Sequence, residues 1–275
     1  MRAPILAVIL ASVPALAAAD EVAQAPAPAP TATAPAYAPV ATIEQQPVVV
    51  NARAEDPNID RVFLLPSAET QPAGTLSFND YELLLLGVTY GVTDNFQITG
   101  QALAPIVKDM PTFLNGSAKL VVLRTDRLRL AVQGGLTYVN ANDDGPDNDS
   151  ALGASLGGIV SICLDADCHS MATGSVTGFS AIAGDNTDND IGILYSGGVT
   201  AKVAKHAKLL LEVTSAAAQT SESGFTSADS ALVSYGVRFF SSSIAGDIGF
   251  VKPVGDAGDD DFILCLPFIN FTYRQ

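Results

Sequence analysis

From about Gly74 to the end of the chain, apolar residues alternate with small or polar ones in stretches of roughly ten, each closed by a break. Val88, Tyr90 and Val92 lead to Thr93-Asp94-Asn95, after which Phe96, Ile98 and Ala102 resume the rhythm; Leu128, Leu130, Val132, Leu136 and Tyr138 follow Thr125-Asp126. Period two marks strands with one apolar and one polar face. The breaks alternate between tight turns and long acidic loops such as 142–149, the signature of a barrel standing in an outer membrane. The pattern predicts strands at 74–81, 84–93, 95–104, 115–125, 127–139, 151–164, 167–182, 190–203, 206–218, 230–241, 243–252 and 262–274. The expected fold is therefore all-β: a closed antiparallel up-and-down transmembrane barrel of about 12 strands (10–12). The weakest join is Asp80-Tyr81-Glu82-Leu83, where a hairpin must form with little turn chemistry.

Wherever a charge falls inside a strand, the faces can be assigned, because a charge on the lipid face at mid-bilayer costs about 2–4 kcal/mol. Leu209, Leu211 and Val213 should face lipid, with Lys208, Glu212 and Thr214 inside; Val237 and Phe239 face out and Arg238 in; Ile244, Ile248 and Phe250 face out and Asp247 in. Lys119, Arg129, Gln133, Glu212, Arg238 and Asp247 are the candidate lumen-lining groups. Twelve strands lie between eight, which fill their own interior, and sixteen, which leave a water channel. The reading is a narrow porin-like channel or transport-related barrel of unsettled substrate. The alternative is a structural or surface-binding barrel with a plugged lumen.

The part before the strands is different in kind. Residues 1–19 read as a secretory signal peptide, with Arg2, an apolar run from Pro4 to Leu16 and then Ala17-Ala18-Ala19. No cysteine follows that site, which argues against a lipoprotein anchor. Residues 20–60 read as a disordered Ala/Pro-rich periplasmic linker, since Ala-Pro repeats favour an extended polyproline II chain. Within it, Gln46-Pro47-Val48-Val49-Val50-Asn51-Ala52-Arg53 looks like the coupling box of TonB-dependent receptors, but a chain of 275 residues is too short for their roughly 22 strands and plug domain. The match is taken as coincidence or as a local β-pairing segment. The barrel is expected over 61–275, with 61–68 and Gln71-Pro72-Ala73-Gly74 as an entry segment and turn.

Composition narrows the function classes. With 48% hydrophobic and only 16% charged residues, the chain is apolar for a soluble protein, and its mean hydropathy is +0.29. A net charge of −15 argues against nucleic acid as a partner. The acid gathers in the predicted long loops: Asp143, Asp144, Asp147 and Asp149, and later Asp259, Asp260 and Asp261, are candidates for divalent contacts, with no firm metal site and no cofactor. Arg124, Arg127, Arg129, Lys202, Lys205 and Lys208 sit beside tight turns, where a basic rim could meet anionic lipid head groups. Expected partners are outer-membrane lipid, the outer-membrane assembly machinery and divalent cations.

Cys163 and Cys168 flank Leu164-Asp165-Ala166-Asp167, read as a tight turn across which a disulfide can close in an oxidising periplasm. Only His169 and His206 could serve as a histidine base, and both sit beside predicted periplasmic turns, so the expectation is that the chain is not an enzyme.

The pieces Phe63-Leu64-Leu65-Pro66-Ser67-Ala68 and Leu83-Leu84-Leu85-Leu86-Gly87-Val88-Thr89-Tyr90-Gly91-Val92-Thr93-Asp94-Asn95-Phe96 resemble a broad group of uncharacterised, porin-like outer-membrane β-barrel proteins. That group shows a Pro-x-Ala entry followed by a Tyr-Gly-x-Thr-Asp turn. The likeness is sharp over residues 61–103 and general beyond. It implies a barrel in the bacterial outer membrane, and brings no catalytic residue. The chain departs from the group at its end, Phe271-Thr272-Tyr273-Arg274-Gln275, where a terminal aromatic is usual.

Overall fold

The computed structural model describes residues 55–82, 84–103, 111–140, 150–184, 191–220, 224–255 and 266–275. Twelve strands account for most of them: β1 (Leu76–Tyr81), β2 (Leu85–Thr93), β3 (Phe96–Leu103), β4 (Thr112–Arg124), β5 (Leu128–Asn140), β6 (Ser150–Cys163), β7 (Met171–Gly184), β8 (Ile191–Ala204), β9 (Ala207–Thr220), β10 (Gly224–Phe240), β11 (Ile244–Gly255) and β12 (Leu266–Arg274). Each pairs antiparallel with its neighbours in sequence, and β1 pairs with β12, so the sheet closes. Closure satisfies the backbone within the sheet, as a span through hydrocarbon demands. The β1–β12 seam is short, running from Ser77↔Arg274 to Tyr81↔Asn270.

The period-two pattern sets the two faces. Leu209, Leu211, Phe239, Ile248 and Phe250 are on the outer surface, while Lys208, Glu212, Arg238 and Asp247 are at most 2% exposed. The register Val237↔Ile248 beside Arg238↔Asp247 shows the alternation held across a strand pair.

The tight turns are closed by their own side chains. Thr93 Oγ1 accepts from the Asn95 N–H, and Thr125 Oγ1 accepts from the Leu128 N–H at 2.9 Å. Ser241 N–H donates to the Ile244 carbonyl at 2.7 Å. The β1–β2 join does form a hairpin, although its sequence lacks turn residues. Glu82 adopts a φ of 57°, unusual outside glycine. β12 holds it there: Glu82 N–H donates to the Ile269 carbonyl and Glu82 Oε1 accepts from the Ile269 N–H.

Several expected boundaries move, two of them with a visible cause. The β6–β7 turn spans 164–170 rather than four residues, because Leu164 N–H bonds the Ser170 carbonyl and the Asp165 carboxylate accepts from the His169 and Ser170 N–H groups. β10 begins at Gly224, six residues before the expected start, across a register shift between Ser227 and Ala231. The stretch Ser227-Ala228-Asp229-Ser230 offers no apolar contrast from which a strand could be read.

The larger difference concerns residues 55–71. The expected linker was to run to residue 60 and an entry segment to follow from 61, yet Glu55 already stands at the tight-turn mouth. The chain from Asp56 to Gln71 runs inside the barrel: Asp56, Asn58, Ser67, Ala68, Thr70 and Gln71 are fully buried. Ile59, Val62, Phe63 and Leu65 are nearly so. At its centre Arg61 and Pro66 form an isolated bridge, and Val62 N–H bonds the Leu65 carbonyl, folding 61–66 into a small hairpin.

Candidate functional site: a sealed lumen

The site is the interface between this inner segment and the barrel wall. Asp56 and Arg238 organise one side. Lys208 Nζ donates to Asp56 Oδ2 at 2.6 Å, and Arg238 Nη1 reaches the same carboxylate oxygen at 3.4 Å. Arg238 also forks onto Asp247, with Nε to Oδ1 at 2.7 Å and Nη2 to Oδ2 at 2.9 Å. Its remaining donors go to the carbonyls of Asn58, Arg61 and Val62. A guanidinium so deeply enclosed needs most of its donors engaged, and the planar fork suits this bidentate pairing. Asn270 and Asn58 donate to Asp247 Oδ2 from either side.

Above that cluster, the carboxylate of Glu212 reads backbone rather than side chains. Its Oε2 accepts from the N–H groups of Phe63, Leu64 and Leu65 at 2.9–3.1 Å. Successive N–H groups converging on one oxygen form an anion-binding nest, here supplied by the segment hairpin. The hairpin's apolar side lies against wall positions without side chains. A Cβ at Gly236 or Gly249 would come within 2.7 Å of Phe63 Cζ, and one at Gly198 within 3.1 Å of Leu65. Phe63 completes this contact edge-on to Phe268, with ring centroids 5.4 Å apart.

The opposite side is bridged by polar contacts. Lys119 Nζ donates to the carbonyls of Asp60 and Ser67 at 3.0 and 2.9 Å. Gln97 donates to Asp60 Oδ2 and accepts from the Gln71 N–H. Glu69 receives Arg124 Nη2 at 3.0 Å and Arg129 Nε at 2.9 Å. As the segment leaves the lumen it crosses β2 at Gly91, where a Cβ would lie 2.1 Å from the Pro72 carbonyl oxygen. Asp94 then accepts from the Ala73 N–H through its side chain and from the Thr70 hydroxyl through its carbonyl. The Tyr-Gly-x-Thr-Asp motif thus has a local cause: Gly91 makes room for the segment and Asp94 fastens it.

Of the candidate lumen groups, Lys119, Arg129, Glu212, Arg238 and Asp247 all meet the inner segment, and Gln133 lines a small residual cavity beside it. The basic-rim reading is corrected for four of its six residues. Lys208 is buried against Asp56, Arg124 and Arg129 turn to Glu69, and Lys202 reaches Glu55 at 3.2 Å. Arg127 and Lys205 stay exposed. Their neighbours turn inward to the carboxylates Glu55, Asp56 and Glu69 that the segment offers.

Cys163 and Cys168 are joined by a disulfide with a Cα–Cα distance of 4.7 Å. Arg129 Nη2 approaches Cys168 Sγ at 3.3 Å, linking the bridged turn to Glu69 of the segment. His169 Nε2 lies 3.5 Å from Glu55 Oε2. Burial and the nearby Lys202 and Lys208 hold the His169 imidazole below its ordinary value, and the hydrogen bond from Lys202 keeps Glu55 low. His206 lies near the Phe240 ring. Asp143, Asp144, Asp147, Asp149, Asp259, Asp260, Asp261 and Cys265 lie outside the described residues, as do residues 1–54. No group of His, Cys, Asp and Glu suited to a metal ion occurs among the described residues.

No family model matches the sequence, and no curated protein matches it either. Solved structures do resemble it. A loop-deletion form of OmpT, an outer membrane protein of Vibrio cholerae, is 14% identical over 70% of this chain and 62% of that one, with a TM-score of 0.42. This chain thus spans less than two thirds of OmpT's length. LpxR from Salmonella typhimurium is 11% identical over 73% of this chain and 99% of its own, with a TM-score of 0.39. A bacterial polysaccharide outer membrane secretin is 17% identical over 70% and 69%, with a TM-score of 0.37. The expectation that the chain is not an enzyme does not stand: a barrel fold gives no ground for excluding a reaction. The closed twelve-strand sheet, apolar outside and charged within, is that of a bacterial outer-membrane β-barrel.

Proposed function

We propose that this protein works as a plugged outer-membrane barrel: a structural body whose lumen is sealed by its own residues 55–71. The observation that carries the reading is the enclosure of Arg238, which binds Asp247 of the wall together with Asp56, Asn58, Arg61 and Val62 of the segment. A permanently open conduit would leave such inward charges to water. Here they are desolvated and paired, an arrangement in which loss of one partner is costly. Glu55, where the described segment begins, stands at the tight-turn mouth, which by the rule for these barrels faces the periplasm. The barrel therefore also anchors whatever the Ala/Pro-rich stretch of residues 20–54 contacts.

A narrow conduit is the second reading, favoured by one observation: a polar gap of about 120 Å³ remains between the segment and the wall of β2–β5. Planar-bilayer recording separates the two. The full chain should be silent, and a chain lacking residues 55–71 should conduct if it retains heat-dependent gel mobility. Should that deletion fail to fold, a disulfide between Ala68→Cys and Ser161→Cys, whose backbone and hydroxyl already meet at 2.9 Å, locks the segment in place. Steady current through the full chain that disappears on locking would overturn the sealed barrel in favour of the conduit.

A further inference from the structure

The inner segment is not centred in the lumen. On the β8–β11 side it packs against glycine-lined wall, with Phe63 over Gly236 and Gly249 and with Val62 and Leu65 against Gly198. On the β2–β5 side it stands off, leaving the 120 Å³ cavity. Four of the lining residues, Asp60, Arg61, Leu64 and Pro66, belong to the segment, and Tyr81 of β1 borders the cavity beside them. The wall opposite presents Gln97, Gln101, Ser117, Lys119 and Gln133.

The chemistry of this lining is selective. Its charged groups already have partners: Lys119 donates to two carbonyls, Asp60 accepts from Arg61 and Gln97, and Arg61 donates to Asn79. The amides of Gln101 and Gln133 and the hydroxyl of Ser117 have no protein hydrogen-bond partner among the described residues. The cavity thus offers free neutral donors and acceptors, a hydrocarbon surface at Leu64, Pro66 and Tyr81, and no uncommitted charge. We propose that it is a binding site for a small uncharged polyol of about glycerol size. The amides and the hydroxyl exchange hydrogen bonds with its hydroxyls while its C–H groups rest on Leu64 and Pro66. The volume falls well below the roughly 300–1,000 Å³ of pockets for drug-sized ligands, which sets the upper size. The site rests on the sealed-barrel reading, because it exists only while the segment is seated.

Saturation-transfer NMR with glycerol, on the full chain in lipid nanodiscs, tests it. Transfer to the glycerol C–H protons should fall at least fivefold in a Gln101→Leu, Gln133→Leu double variant, which touches none of the ion pairs. Acetate and tetramethylammonium should show less transfer than glycerol. If the double variant fails to fold, as judged by heat-dependent mobility, Ser117→Val makes the same comparison. Equal transfer in variant and parent, or stronger transfer to acetate, overturns the proposal. Bilayer recording on the same sample separates the two readings: a silent barrel without glycerol transfer removes the polyol site alone, whereas a conducting one removes the seal as well.

Discussion

Single positions carry the seal, and they differ sharply in what a substitution should do. Gly91 has the Pro72 carbonyl oxygen 2.1 Å from where a Cβ would go, whereas Gly100 on β3 has open space. Gly91→Ala should therefore lower the midpoint of the heat-mobility transition by an amount equivalent to about 1–3 kcal/mol, the usual range for overpacking. Gly100→Ala should leave it unchanged. Arg238→Ala should cost about 3–5 kcal/mol in urea titrations of the folded barrel, since it strands Asp247 without its cation and leaves Asp56 to Lys208. Combining it with Asp247→Asn should recover part of that loss, whereas adding Asp56→Asn should not, because Lys208 would lose its buried partner. Whether a residue faced in or out was readable beforehand, because Lys208, Glu212, Arg238 and Asp247 each fix the parity of their strand. What they would touch was not readable, since parity names a face and no partner. A signal did exist: Lys119, Arg129, Lys208 and Arg238 set four inward cations against the two carboxylates Glu212 and Asp247, so a closed interior had to obtain negative charge from elsewhere.

Among elements, the bridged β6–β7 turn and the inner segment meet at the tight-turn mouth, and both are accessible to experiment. Reducing Cys163–Cys168 opens a loop of only a few residues, so chain entropy assigns it about 2 kcal/mol. The barrel should survive reduction, and alkylation followed by mass measurement should show two more added groups than on the unreduced protein, with heat-dependent mobility retained. At the same mouth, Glu55 lies between Lys202 and His169. His169 is held below its ordinary 6.5 and Glu55 below its ordinary 4.5. Both groups bind protons more readily once released, so acidification favours release: the His169 contribution fades as the pH drops below about 6.5 and that of Glu55 below about 4.5. Limited proteolysis around Glu55 should accelerate between pH 7 and pH 5, and His169→Asn should flatten that rise. The strands were legible as elements from their period of two. The inner segment was not, because Asp56-Pro57-Asn58-Ile59-Asp60 and the apolar run after it satisfy neither a strand nor a helix period and take their shape from the wall.

For the whole molecule, the fold follows from a compromise between lipid outside and charge within. The outer face needs only alternating apolar residues, and these can be counted along the chain. The inner face needs a partner from a distant part of the sequence: Asp56 meets Lys208 and Arg238 across more than 150 residues. The order of connection then constrains how such a barrel can be assembled. Residues 55–71 come before β1, yet the ring closes only when β12, the last strand made, reaches β1. The stopper must be laid in while the cylinder is still an open trough, or be threaded through the mouth afterwards. The short Ser77–Tyr81 seam is the final stitch in the first of these routes. Pulse proteolysis during refolding should then find Glu69 protected no later than Asn270, and protection of Asn270 well before Glu69 would mean that the ring had shut while empty.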